Sequence, residues 1–385
     1  SYWDGTRNSF NGSIDQVRVY DAALTSSQVT ELYNEKPEVD TSNFKAVLYE
    51  GTGASQYVSN VGFQPDLVWI KNRDTSNNHM IYDLIRGATK TLNSNGSGAE
   101  STHSDALTSF DANGFFLGSK AHVNGNNNSL VAWNWKGGGD DVLNEEGSID
   151  SQVSANTAAG FSIVKYTGIS TSGATVGHGL NNPPEMIFLK RTSSTSNWYV
   201  YNKDLGTTSV YDNYLLLNSS NATNYSVGVF SPNGVNSSTF IPGNNAVLQG
   251  TMIAYCWHSV AGYSRIGFYT GGGTSKRIYV DSNDDGTGTG GFKPSFVIIK
   301  ATSSLGGNQS YASWTIYDDK RAIESTDNVT NPLYANRSYQ EGLRGQGSSA
   351  SGILDLAFND DGFTINHNGY EANGSGTTYI YMAFK

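Results

Sequence analysis

GFQPDLVWIK at 62–71 decides how this chain is read, because versions of it return as NNPPEMIFLK at 181–190 and GFKPSFVIIK at 291–300. In each copy a proline stands six residues before a lysine: Pro65 and Lys71, Pro184 and Lys190, Pro294 and Lys300. The apolar run between them is rich in β-branched and aromatic residues, which suits a strand buried on both faces. A proline at the strand entrance costs no ladder hydrogen bond. The chain is therefore expected to be all-β and built from repeats.

Other segments recur around this one. FKAVLYEGTG (44–53) has counterparts in FSIVKYTGIS (161–170) and YSRIGFYTGG (263–272). Downstream come Tyr82-Asp83, Tyr201-Asn202 and Tyr317-Asp318, then an asparagine in each copy, Asn93, Asn218 and Asn336. Hairpin signals follow at FDANGF (110–115), FSPNGV (230–235) and FNDDGF (358–363), where Asn-Gly and Asp-Gly steps favour turns with positive φ. LVAWNW (130–135), MIAYCW (252–257) and YMAFK (381–385) close the copies, with Ala132, Ala254 and Ala383 taken as equivalent. Three tandem β-sandwich repeats of jelly-roll-like type are expected, at 44–139, 161–262 and 263–385. Residues 37–43 and 140–160 read as polar linkers. The third copy runs to its closing strand, so Lys385 is expected to be the natural C-terminus.

The totals agree with strands joined by polar turns. The 385 residues include 44 glycines and 23 tyrosines, and only 15% are charged. A net charge of −10 without a basic cluster argues against nucleic acid as a partner. No apolar run is long enough for a membrane span. Cys256 is the single cysteine, which rules out an intrachain disulfide. Its place beside an aromatic stripe marks it as a small buried hydrophobe.

Residues 1–36 differ from the rest. Phe10–Tyr20 reads as a turn and a strand, and Thr25 and Gln28 form a capping box for a short helix. Leu24 and Val29 supply a hydrophobic staple, and Val29, Leu32 and Tyr33 one apolar face. FNGSIDQVRVYDAALTSSQVTELY (10–33) resembles the closing strand and following helix of laminin-G-like, concanavalin-type lectin domains. The sandwich that would precede them is missing, so a longer parent protein is expected and lectin activity is not carried over.

The repeats resemble a domain without established activity found in tail-fibre-like and other structural proteins of phages, marine ones especially. That likeness rests on the proline–lysine strand, Ile81-Tyr82-Asp83 and Ile316-Tyr317-Asp318, Asp361-Gly362-Phe363, and Tyr379–Phe384. It implies an extracellular virion appendage and a homo-oligomer, trimeric by analogy with fibres, with other virion proteins as partners.

Catalytic motifs are not found: there is no G-x-S-x-G elbow, phosphate loop or H-E-x-x-H pair. His79, His103, His122, His178, His258 and His367 lack ligand spacing and read as solvated loop residues. The acidic pairs Asp140-Asp141, Glu145-Glu146, Asp318-Asp319 and Asp360-Asp361 read as linker and turn residues. Asp318 also aligns with Asn202, which an essential acid would not tolerate. Asp281, Asn283 and Asp285 hold the first three alternate positions of a calcium loop, with Gly286 at its turn. Position twelve is Phe292, so the closing glutamate is missing, and a polar loop competes with a Ca²⁺ site. The stripes Val131/Trp133/Trp135 and Ile253/Tyr255/Trp257 are either core or a sugar platform, and their recurrence favours core.

The expected function is a non-enzymatic virion structural and adhesion protein whose repeats act as spacers. Variable loops at 202–226 and 302–313 would offer contact surface, host-surface glycans included. Carbohydrate-binding modules are the alternative, and a polysaccharide-degrading enzyme the third. The residues do not single out a ligand site.

Overall fold

In the computed structural model, described residues are 23–26, 43–208, 211–226, 228–231, 234–281, 283, 285–288, 290–303, 312–322, 328–343 and 354–385. The chain forms two compact units, Ser1–Val39 and Asp40–Lys385. In the first, Leu24 is half-buried and Thr25 and Ser26 are exposed. The expected strand, along with Gln28, Val29, Leu32 and Tyr33, lies outside the described residues.

The second unit is strands with very little helix. In the first repeat, Phe44–Glu50, Ser129–Trp135, Leu67–Asn72 and Met80–Asp83 form a sheet in that order. A smaller sheet of Gln56–Val58, Gly114–Leu117 and Leu107–Asp111 covers one face. Val68, Ile70, Tyr82, Leu107, Phe115 and Leu130 fill the space between them. The third repeat repeats this order with Ser264–Thr270, Thr378–Phe384, Phe296–Ala301 and Thr315–Asp318. The second does so with Phe161–Gly168, Gly250–Trp257, Met186–Arg191 and Trp198–Asn202. Each of these has its own buried cluster.

The proline–lysine segment is the same element in all three. Pro65, Pro184 and Pro294 are buried just ahead of the central strand. The next residue makes the first ladder bond each time: Asp66 N–H to Trp135 O, Glu185 N–H to Trp257 O, Ser295 N–H to Phe384 O. Proline serves there because the residue after it carries the first N–H the ladder needs.

The sheet's other face is buried as well. It carries Trp69, Trp133 and Trp135 from the first repeat, Phe188, Tyr255 and Trp257 from the second, and Phe296 and Phe384 from the third, each at most 3% exposed. These rings meet across repeats. Trp135 lies 6.3 Å from Trp257 and 5.6 Å from Phe296, Phe44 lies 5.3 Å from Phe384, and Phe188 lies 6.0 Å from Trp314. Core is thus the role of the aromatic stripes, and both sheet faces are apolar because both are covered. The repeats pack side by side on this aromatic centre.

The structure corrects several alignments. Ala132 pairs with Ile70 and Ala254 with Leu189, whereas the residue opposite Ile299 is Tyr381. Tyr381, not Ala383, is therefore their equivalent, a shift of two that keeps the same faces. At the opening strand, Trp135 faces Phe44, Trp257 faces Phe161, and Phe384 faces Ser264 rather than Tyr263. Tyr49, Tyr166 and Tyr269 then fall at one position.

The expected linker 140–160 also contains strands. Val142–Asn144 pairs with Ser151–Asn156, which pairs with Phe161–Gly168, so the second repeat's sheet is two strands wider on that side. Its polar composition hid a hairpin that ends in a short edge strand.

Two hairpins depart from the expected turn. Asp111 pairs with Gly114 and Asn359 with Gly362, so the glycines follow the two-residue loops instead of lying within them. Positive φ falls on Gly114 (151°) and Gly362 (156°) and not on Asn113 or Asp361. A Cβ there would sit 1.9 Å from Val58 O or 2.1 Å from Ile278 O in the neighbouring strand. Gly114→Ala is expected to cost at least ~2 kcal/mol in a urea melt, with Gly62→Ala, strained but uncrowded, costing less.

Candidate functional site: buried joints between repeats

The chemically distinctive side chains gather where one repeat meets the next. Lys71, Lys190 and Lys300 end the central strands and are fully buried. Lys190 Nζ donates to Ser196 O at 2.7 Å and to Ser97 O of the first repeat at 3.1 Å. Lys300 Nζ donates to Ala312 O at 2.5 Å in its own repeat and to Ser220 O of the second at 3.2 Å. Lys71 Nζ bonds Asn72 O and Thr75 O, and Glu341 of the third repeat acts on its charge. Burial pulls Lys71 and Lys190 down to about 8 and Lys300 to about 7.

A second set sits at the start of the strand after the lysine. Trp198 Nε1 donates to Asn93 O of the first repeat at 2.9 Å, and Trp314 Nε1 to Leu216 O of the second at 2.9 Å. Ser94 Oγ of the first repeat donates to Ala335 O of the third at 2.6 Å, and the tryptophans' position in the first repeat is held by His79. Its Nδ1 accepts Trp69 Nε1–H at 2.8 Å, and burial holds it well below the ordinary histidine range. The backbone N–H groups of His79, Trp198 and Trp314 bond the side-chain oxygens of Asn95, Asn218 and Asn336. Asn95, rather than Asn93, is therefore the first repeat's equivalent.

The third set is ionic. Asp83 pairs with Arg86, and Asp318 Oδ2 with Arg321 Nε at 2.7 Å, all four side chains at most 2% exposed. A neighbouring repeat completes each pair. Tyr255 Oη of the second donates to Asp83 at 2.6 Å, and Trp133 Nε1 of the first donates to Asp318 at 3.0 Å. Burial works against the Arg86 charge, but Asp83, Tyr255 and Glu100 hold the guanidinium above its ordinary value. Arg321 also reaches Glu341 at 3.1 Å, and Glu341 grips Arg73 of the first repeat at 2.5 Å. Second joins first, third joins second, and first joins third, which closes a ring.

The second repeat shows what the ionic node needs. It carries Asn202 for the aspartate and Leu205 for the arginine. The sheet register puts Met382 of the third repeat where Trp133 and Tyr255 donate. Acid, base and donor are all replaced by neutral groups. A lone charge left in such a place would be costly, so the three positions change together.

The other candidate residues lie apart from these joints. Asp281 Oδ1 accepts Asn283 N–H at 2.8 Å, and Asp285 Oδ1 accepts Thr287 N–H at 3.0 Å. These are turn-capping bonds of an exposed loop, and the Thr287 hydroxyl and N–H hold the Asp285 carboxyl below its ordinary value. Among the described residues no group of three or more His, Cys, Asp or Glu could hold a metal. Calcium or a chelator is expected to leave the thermal midpoint unchanged, as differential scanning fluorimetry would show.

The histidine expectation needs correction. His79, His178, His258 and His367 are at most 8% exposed, and each ring has a nitrogen bonded within the fold. His178 Nε2 faces Asn236 O at 3.0 Å, and His367 Nδ1 accepts Gly369 N–H at 2.9 Å. Asp318 and Asp83 are likewise joint residues, not turn-makers. Asp140, Asp141, Glu145 and Glu146 are exposed, and Asp361 pairs with Arg277. Cys256 is fully buried, and burial pushes its thiol up.

Fold and joints define an all-β protein of sandwich type whose joints hold buried lysines and aspartate–arginine pairs. Residues 40–385 match the family described as a domain of unknown function, DUF7483, and the chain belongs to that family. No curated protein and no solved structure matches it. Among the described residues no helix is long and apolar enough to cross a membrane.

Proposed function

We propose that the chain is a non-enzymatic structural and adhesion protein of a virion, a tail-fibre or similar appendage subunit working with other virion proteins. The observation that carries this is the closure of the ring by Trp133 and Asp318. Lys190, Lys300, Asp83 and Asp318 are buried in the joints between repeats. Such wiring suits a part that must hold its shape under load. Immunogold labelling of purified phage particles with antibody to this chain tests the reading. Label on an appendage supports it; particles free of the protein by labelling and by mass spectrometry overturn it.

A second reading, carbohydrate binding, is favoured by one surface feature. Tyr57 is 38% exposed and stacks on Phe116 with ring centres 4.5 Å apart. Its hydroxyl faces Asp111 Oδ1 at 3.4 Å. An exposed ring beside a carboxylate is the arrangement a sugar face and its hydroxyls use. On this reading Tyr57→Ala abolishes glycan-array signal while the thermal midpoint stays put.

A further inference from the structure

The first and third repeats' principal sheets begin at Phe44–Glu50 and Ser264–Thr270, but the second is extended by Ser151–Asn156 and then Val142–Asn144. The added hairpin ends in a three-residue strand that, among the described residues, is paired on one side only. That strand exposes Val142 at 64% and Leu143 at 57%, two adjacent aliphatic side chains in water. Exposed aliphatics on an open sheet edge invite another strand.

The flanks say which strand. Asp140 and Asp141 precede the pair and Glu145 and Glu146 follow it, all exposed. A second copy laid antiparallel would set aspartates against glutamates, and like charges facing across a ladder repel. A cationic segment would meet opposite charge at both ends. Beside Leu143 lies a cleft of about 180 Å³, lined also by Asp150, Gln152, Lys165 and Thr251. Ligand pockets for whole small molecules run to roughly 300–1,000 Å³, so this one has room for a side chain.

We propose that the free edge of Val142–Asn144 docks an extended, cationic segment of a partner protein as an added strand. Successive strand residues face opposite sides, so an aliphatic side chain of the segment covers Leu143 and enters the cleft beside it, while flanking lysines or arginines face the four carboxylates. Main-chain bonds supply the affinity and the charges select the partner. The site does not depend on the virion reading.

The test uses the full chain and labelled synthetic peptides in fluorescence anisotropy. A peptide alternating lysine and valine is the probe; an alternating lysine–serine peptide of equal charge and a glutamate–valine peptide are the controls. The expected Kd for lysine–valine is ~10 µM, with both controls at least ~tenfold weaker. Leu143→Ser removes the aliphatic contact and is expected to weaken binding at least ~tenfold. The position is exposed, so a thermal midpoint unchanged from wild type certifies the fold. Equal binding of the lysine–serine peptide, full binding by folded Leu143→Ser, or no binding of the probe would each overturn the proposal.

Discussion

Asp83→Asn, with Arg86 left in place, is expected to lower the free energy of unfolding by about 3–5 kcal/mol. The guanidinium would stay buried at 2% exposure without its anion, because Glu100 reaches it only at 3.4 Å from a partly exposed position. Adding Arg86→Leu should recover most of that loss, since the double variant writes Asn202 and Leu205 of the second repeat into the first. Tyr255→Met, copying Met382, completes the neutral node. Urea melts of the single, double and triple variants give the coupling directly. The ordering is the test: single worst, double and triple within about 1–2 kcal/mol of wild type. A double variant as unstable as the single would mean that the node's charges do not answer to one another.

Much of the architecture was legible because it rests on local pattern. The proline–lysine strand and the apolar stripes were read from a few residues each, since burial on both faces demands an unbroken apolar run. The joints were not legible as contacts. Trp133 and Asp318 lie 185 positions apart, and Tyr255 and Asp83 172 apart, with no spacing rule linking them. A clue was nevertheless present. Arg86 and Arg321 each follow an aspartate by three residues, and the one copy with asparagine has Leu205 there.

The slip at the closing strand has a related cause. Identity drew Ala383 onto Ala132 and Ala254, while the sheet places Tyr381 there, because the large ring fills the third repeat's own core. A two-residue shift preserves which face is which, so the apolar pattern cannot detect it. The histidines failed for another reason. Burial of an imidazole depends on a hydrogen-bond partner brought in by the fold, and composition carries no trace of that.

The buried lysines give the widest effect of pH. Their ordinary value is about 10.4, and burial brings Lys300 to about 7 and Lys71 and Lys190 to about 8. Between those limits the unfolded chain binds more protons than the folded one. Stability therefore rises as pH increases through this interval, and the lysine contribution is flat below about pH 7. The thermal midpoint is expected to climb by ~5 °C or more between about pH 7 and pH 9.5. Nearer pH 10 the buried hydroxyls of Tyr255 and Tyr317, which burial pushes well above their ordinary value, begin to act in the opposite direction. Lys300→Met should flatten the slope, because a neutral thioether has no proton to lose in either state. The same change at exposed Lys45 should leave the slope as it was. If Lys300→Met keeps the wild-type slope, its ammonium is not the group being forced to carry charge inside the joint. The carbonyls of Ser220 and Ala312 would then be satisfied equally well by an uncharged neighbour.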